Sequence, residues 1–208
     1  MHSEERKDVF NLKLLNSAPV GFYQFPEVSP CFHSPAPGKV VSFNYARSCP
    51  APKEYYVHFY IDDYQFERVW RKPERYTKML SRFAGVIGPD FSIYQDMPKA
   101  QQIWQIYRQR LLTAYWQQCG LRVIPNVSWS DESSFEWVFD GLPKNSVIAL
   151  SSNGCLNKNT LPQFLKGYTE AQRVLAPMQT VFIGEIPEPL RESRGIINFS
   201  GHLEKFKK

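Results

Sequence analysis

No run in this 208-residue chain approaches the roughly 18 consecutive apolar residues of a membrane-spanning helix. The amino-terminal MHSEERKDVFNL also lacks the apolar centre of a secretory signal, so the expectation is a cytoplasmic protein with no membrane partner. Catalytic signatures are equally scarce. There is no GxxxxGK followed by Ser or Thr, no GxGxxG after a strand, no HExxH and no GxSxG, which removes the motif-bearing nucleotide-binding, zinc-protease and hydrolase classes. An HxH pair, as in rolling-circle nucleases, is missing too, and that counts against a simple relaxase. The four cysteines, Cys31, Cys49, Cys119 and Cys155, have no CxxC spacing and read as free thiols. Cys31, His33 and Cys49 would supply three zinc ligands, but no fourth is evident. Charge is hardly biased: the net +5 and pI near 9.0 permit an anionic partner, yet the basic residues are scattered apart from small groups at the termini.

What is present divides the chain into three. Residues 1–54 carry Pro19, Pro26, Pro30, Pro35, Pro37, Pro50 and Pro52, which leave little room for regular structure. Phe22, Tyr23, Phe25, Phe32, Phe43 and Tyr45 give the same segment apolar material, so it is expected to wrap the domain as an ordered arm, with Val40 to Tyr45 as an edge strand. Residues 55–190 form the core domain, and 191–208 read as a polar tail.

The core is organised around residues 83–131, a strand, loop, helix and strand in succession. Gly85 to Gly88 is a short apolar run without alternation, suited to a strand buried on both faces. After a loop, Asp96 is placed to cap a helix with Pro98 in its first turn and an apolar stripe of Ala100, Ile103, Trp104, Tyr107, Leu111 and Tyr115. Gly120 ends it, and Leu121 to Val127 is the next strand. Tyr55 to Ile61 is aromatic and β-branched throughout, and Tyr64 to Arg82 reads as helix broken at Pro73. A short helix over 132–139, a strand at Val147 to Leu150, a helix from about Leu161 to Leu175 and a strand at Val181 to Ile183 complete the series. About five βα units with a mainly parallel sheet follow, making an α/β fold. The sheet is either open or a partial TIM-barrel-like curl, since five units fall short of eight.

In such a sheet the ligand crevice lies at the carboxyl ends of the strands. Those ends carry Asp62, Asp63, Asp90, Asp131 and Glu185 as candidate acid–base groups. Asp63 and Asp90 are the candidate ligands of a magnesium or manganese ion. Ser151, Ser152, Asn153 and Gly154 form a candidate anion-binding turn, with Arg108 and Trp129 as further substrate contacts. The plainer readings are that Asp96, Ser130 and Asp131 are helix caps, that Asp62 or Asp63 pairs with Arg68 or Arg75, and that Arg108 pairs with a nearby acid. His58 reads as a core histidine, and Trp104, Trp116, Trp129 and Trp137 as core aromatics.

The segments IDDYQFERVWRKPERY, GVIGPDFSIYQDMP, QIWQIYRQRLLTAYWQQCGLRVIPNVSWSD, FDGLPKNSVIALSSNGC and FLKGYTEAQRVL resemble the bacterial and phage family DUF4417 over about residues 55–185. The resemblance implies a protein of phages, plasmids and other mobile elements; it brings no catalytic residues. Two functions are expected from the residues. One is metal-assisted chemistry on a nucleotide or nucleic-acid phosphate at the strand ends. The other is a non-catalytic module that binds DNA or a host protein in replication or counter-defence.

Overall fold

Aromatic and β-branched side chains at every position of Tyr55–His58 leave that segment no face to give to water, and all four residues are buried. The computed structural model describes residues 8–16, 18–33 and 39–199. Strand Tyr55–His58 is β4, preceded by β1 (Pro19–Val20), β2 (Phe25–Pro26) and β3 (Lys39–Ser42). β1 and β2 pair with each other antiparallel. β3, β4, β5 (Gly85–Ile87) and β6 (Val123–Ile124) form a parallel sheet in chain order. β7 (Val147–Ser151), β8 (Gln179–Ile183) and β9 (Ile196–Phe199) form a second parallel sheet. A parallel bridge between Asn126 and Ala149 joins the two: Ala149 N–H donates to the Pro125 carbonyl at 2.8 Å and Val127 N–H to the Ala149 carbonyl at 2.9 Å.

The register places Val41, Val57, Val86 and Val123 side by side across the first sheet. This row faces helices α1 (Asp63–Arg71), α2 (Pro73–Leu80) and α3 (Lys99–Gln118), burying Phe59, Phe66, Trp70, Leu112 and Trp116 against it. Alternate residues point the other way. Val40, Tyr56, Ile87, Ile124, Ala149, Val181 and Ile183, from β3 through β8, share one cluster that contains no helical residue. α4 (Leu161–Leu175) covers the second sheet through Phe164, Tyr168 and Ala171. No helix among the described residues is long and apolar enough to cross a membrane.

The helical break at Pro73 and the extent of α4 agree with the sequence pattern. Three expectations need correction. The parallel strands number seven among the described residues rather than five, because β3 joins as the expected edge strand and β9 forms inside the stretch read as tail. The segment after Asp131 is only a 3-10 turn, Glu132–Ser134, followed by further turns, since so short a stretch does not by itself repay helix nucleation. α3 begins at Lys99, with Pro98 rather than Asp96 at its cap, and its buried set is not the apolar stripe. Ala100 and Trp104 are exposed, while Gln109, Arg110 and Thr113 are buried. The reason is that α3 is enclosed from two sides, by the sheet and by the β1–β2 arm carrying fully buried Phe25. The polar groups bury because each finds an acceptor: Arg110 donates to the carbonyls of Val138 at 2.7 Å and Asp140 at 3.2 Å, and Gln109 to that of Phe91 at 2.8 Å.

Candidate functional site

Parallel strands bring their carboxyl ends to one rim, and the residues after β4, β5, β6 and β7 surround a cavity of about 650 Å³. Tyr60, Ile61 and Asp62 come from the exit of β4, Asp90 and Ser92 to Asp96 from that of β5, Val127 to Ser130 from beyond β6, and Ser151, Asn153, Gly154 and Cys155 from β7. Thr160, Gln163 and Phe164, around the first turn of α4, complete the wall. The charged side chains among these are Asp62, Asp90 and Asp96, all acidic. A larger groove of about 830 Å³ lies near the amino end of β6, but its charged side chains, Glu27, Arg122 and Lys144, are all exposed.

Asp90 is the least exposed of the three cavity carboxylates. Asn126, just past the end of β6, donates from Nδ2 to Asp90 Oδ1 at 2.8 Å and to the Pro89 carbonyl at 3.3 Å, and accepts from the Tyr60 hydroxyl at 2.9 Å. Burial pushes the Asp90 carboxyl up to about 6; the Asn126 hydrogen bond works against this shift and the negative charge of Asp63 adds to it. Tyr60 is raised well above the usual phenol range by burial and by Asp90, and Cys155 is likewise held as a thiol.

The expected site residues part company here. Asp62, Asp90, Trp129, Ser151, Asn153 and Gly154 meet around the cavity. Asp63 does not line it: its carboxylate accepts from Ser92 N–H at 3.1 Å, Ser92 Oγ at 2.8 Å and Gln105 Nε2 at 3.3 Å, tying α1 to the β5 loop. Of the two carboxylates expected to share a metal, Asp90 lines the cavity and Asp63 does not, although the charge of Asp63 is near enough to raise Asp90. Among the described residues, no group of three or more His, Cys, Asp or Glu side chains is placed to hold a metal ion. Asp131 caps the turn that follows it, accepting from Ser133 N–H at 2.9 Å and Ser133 Oγ at 2.6 Å. Ser152 is buried and donates to the Glu185 carbonyl at 2.5 Å, while the Glu185 carboxylate points outward to Arg191 at 3.5 Å. Arg108 is buried beneath α1, paired with Glu67 at 2.8 Å and lying 3.7 Å over the Phe91 ring. Tyr60, Asn126 and Gln163 escaped the sequence reading. For Asn126 a signal existed, a polar side chain inside the apolar run Val123 to Val127.

Trp129 forms the cavity wall by lying flat on α4. A Cβ added at Gly167 would sit 2.1 Å from Trp129 Nε1, so glycine there is what allows the approach. Gly167→Ala is expected to push Trp129 off the helix and to cost about 1–3 kcal/mol in denaturant unfolding, the usual penalty of overpacking.

Together these features define a parallel α/β protein with a carboxylate-bearing cavity at its strand ends. Over residues 18–200 the chain matches the family described as a domain of unknown function, DUF4417, and it belongs to that family. It is similar to the "Gene 1 protein" of Mycobacterium phage D29, 35% identical over 147 residues, and to the "Gene 1 protein" of Mycobacterium phage L5, 37% identical over 147 residues. Each match covers 71% of this chain, and 54% and 64% respectively of those two proteins, so the chain spans less than two thirds of the relatives it matches. No solved structure matches.

Proposed function

We propose that the cavity is the active centre of a mobile-element enzyme acting on a nucleotide or nucleic-acid phosphate, with Asp90 as the group that exchanges a proton with the substrate. The observation that carries this reading is a sheltered carboxyl, titrating at about 6, at the carboxyl ends of parallel strands. The cluster shared by β3 through β8 supports a sheet curled into an incomplete barrel, in which those ends converge. The acidic lining decides how a phosphate enters. Two like charges about 4 Å apart repel by about 4 kcal/mol near a protein surface, so a phosphate needs a cation between itself and the wall. Magnesium or manganese supplies it, held as magnesium commonly is by one carboxylate, its waters and the substrate phosphates. Asp62, an exposed carboxylate of the lining, is the residue assigned this role in our reading. The compartment that goes with this reading is the cytoplasm.

The test is calorimetric titration of the protein with Mn²⁺ and Mg²⁺, alone and with ATP or a short single-stranded oligonucleotide. Wild type is expected to bind the metal with nucleotide, and Asp62→Asn to lose at least tenfold in that affinity. Asp90→Asn should keep it but lose about 10²–10⁴-fold in any turnover found, the usual contribution of a general acid or base. Equal binding by wild type and Asp62→Asn overturns the metal's place. No binding of metal or nucleotide by wild type favours the other reading, a module that binds DNA or a host protein.

A further inference from the structure

The three hydrogen bonds around Asn126 admit one arrangement of the amide. Its Nδ2 carries two N–H groups, and the two acceptors within reach are the Pro89 carbonyl at 3.3 Å and Asp90 Oδ1 at 2.8 Å. A carbonyl can only accept, so the nitrogen must face Pro89 and Asp90 and the oxygen must face Tyr60. The Tyr60 hydroxyl, 2.9 Å from Asn126 Oδ1, is then the donor. Every donor and acceptor of this amide except the second lone pair of its oxygen is used, and the side chain is buried. Its backbone is fixed as well, by the bridge that joins the two sheets at Ala149. The amide is thus a rigid bracket held at both ends.

We infer that Asn126, oriented by Tyr60 and the Pro89 carbonyl, is the positioning residue of Asp90, occupying its Oδ1 so that the exchangeable proton resides on Oδ2. Oδ2 accepts no hydrogen bond among the described residues, and Asp90 lines the cavity, so this oxygen is the one a ligand meets. A neutral carboxyl accepts an N–H best on its carbonyl oxygen, so the hydrogen bond to Oδ1 favours the proton on Oδ2. In the ionised state the same N–H stabilises the carboxylate. One amide therefore selects the working oxygen in both protonation states. The other titratable groups facing Asp90 are Asp63 from α1, Tyr60 from the β4 exit and Cys155 from the loop after β7. None of these donates a hydrogen bond to Asp90 among the described residues, and the inference depends on the acid–base reading of Asp90 only for its functional meaning.

The test follows the Asp90 carboxyl carbon and the Asn126 side-chain amide by NMR across pH 4–8, in the full chain and without substrate. In wild type both resonances are expected to move with one midpoint, and the Asn126 movement should vanish in Asp90→Asn. Asn126→Leu, checked for folding, should raise the Asp90 midpoint by about one pH unit, a tenfold change in proton affinity. Tyr60→Phe, a smaller change that keeps the packing, should shift the Asn126 amide resonance and raise the midpoint less. An Asn126 amide blind to Asp90, or an Asp90 midpoint unmoved in every variant that folds, overturns the inference. These outcomes do not depend on turnover or metal, so loss of the enzymatic reading would be visible separately.

Discussion

Asp90→Asn is expected to stabilise the protein at pH 7 by about 3 kcal/mol while removing the acid–base group. The carboxyl is pushed from an ordinary value near 4 up to about 6 in the fold. Below pH 4 it is protonated in both folded and unfolded chains and contributes no difference. As pH rises from 4 to 6 the unfolded chain releases this proton while the folded one keeps it, so folding is progressively disfavoured. Above 6 the full penalty stands, about a hundredfold in proton affinity, or about 3 kcal/mol. Asparagine keeps the oxygen that accepts from Asn126 Nδ2 and never ionises, so the penalty disappears. The measurement is urea unfolding of wild type and Asp90→Asn at pH 4 and pH 7. The variant's advantage should be near zero at pH 4 and about 3 kcal/mol at pH 7, and equal stabilities at pH 7 would show that Asp90 is not held ionised against a cost. Gain in stability with loss of function is the trade expected where a strained group is kept for its chemistry.

The fold was legible where the local pattern and the tertiary environment agree. Strands such as Tyr55–His58 and Val147–Ser151 are apolar on both faces, and helices such as α4 have one apolar side, so composition alone separates them. α3 was legible as a helix but not in its orientation. Its buried Arg110, Gln109 and Thr113 look like solvent-facing residues in sequence; Arg110 and Gln109 are satisfied by carbonyls of other segments, and Thr113 by the Gln109 carbonyl one turn back in α3. β9 escaped because Ile196–Phe199 is four residues with Asn198 in the middle, too short for a period to show, and it forms on the template of β8.

The site was legible as a rim and not as a set of roles. A carboxylate after a parallel strand reaches the crevice only if its rotamer and the loop turn allow, and sequence does not encode that choice locally. Asp62 and Asp63 are adjacent, yet one opens to the cavity while the other is consumed by Ser92 and Gln105. Asp131 is likewise spent on its own turn. What distinguishes Asp90 is depth and the bracket from Asn126, a residue 36 positions away in sequence that follows the neighbouring strand.

His58→Phe should leave the protein more stable in acid than at neutral pH, relative to wild type. His58 is fully buried in β4, stacked on Tyr60 with ring centroids 5.9 Å apart, and neither ring nitrogen has a hydrogen-bond partner among the described residues. Burial lowers its pKa to about 4 from an ordinary 6.5. Above pH 6.5 the imidazole is neutral in both states. As pH falls from 6.5 to 4 the unfolded chain takes up a proton that the folded chain refuses, so about 3 kcal/mol of stability is lost over that window. Asp90 acts in the opposite sense between pH 6 and 4, its penalty being relieved as pH falls, so in wild type the two groups largely offset each other. Phenylalanine preserves an aromatic ring against Tyr60 and removes the proton uptake. Urea unfolding at pH 4 and pH 7 separates the contributions: relative to wild type, His58→Phe should gain about 3 kcal/mol more at pH 4 than at pH 7. Asp90→Asn, with the histidine left alone, should show a steeper acid decline than wild type. A pH-independent difference between wild type and His58→Phe would mean that the buried imidazole is protonated alike in both states, through a partner such as water in the fold, and that β4 carries no acid-sensitive group.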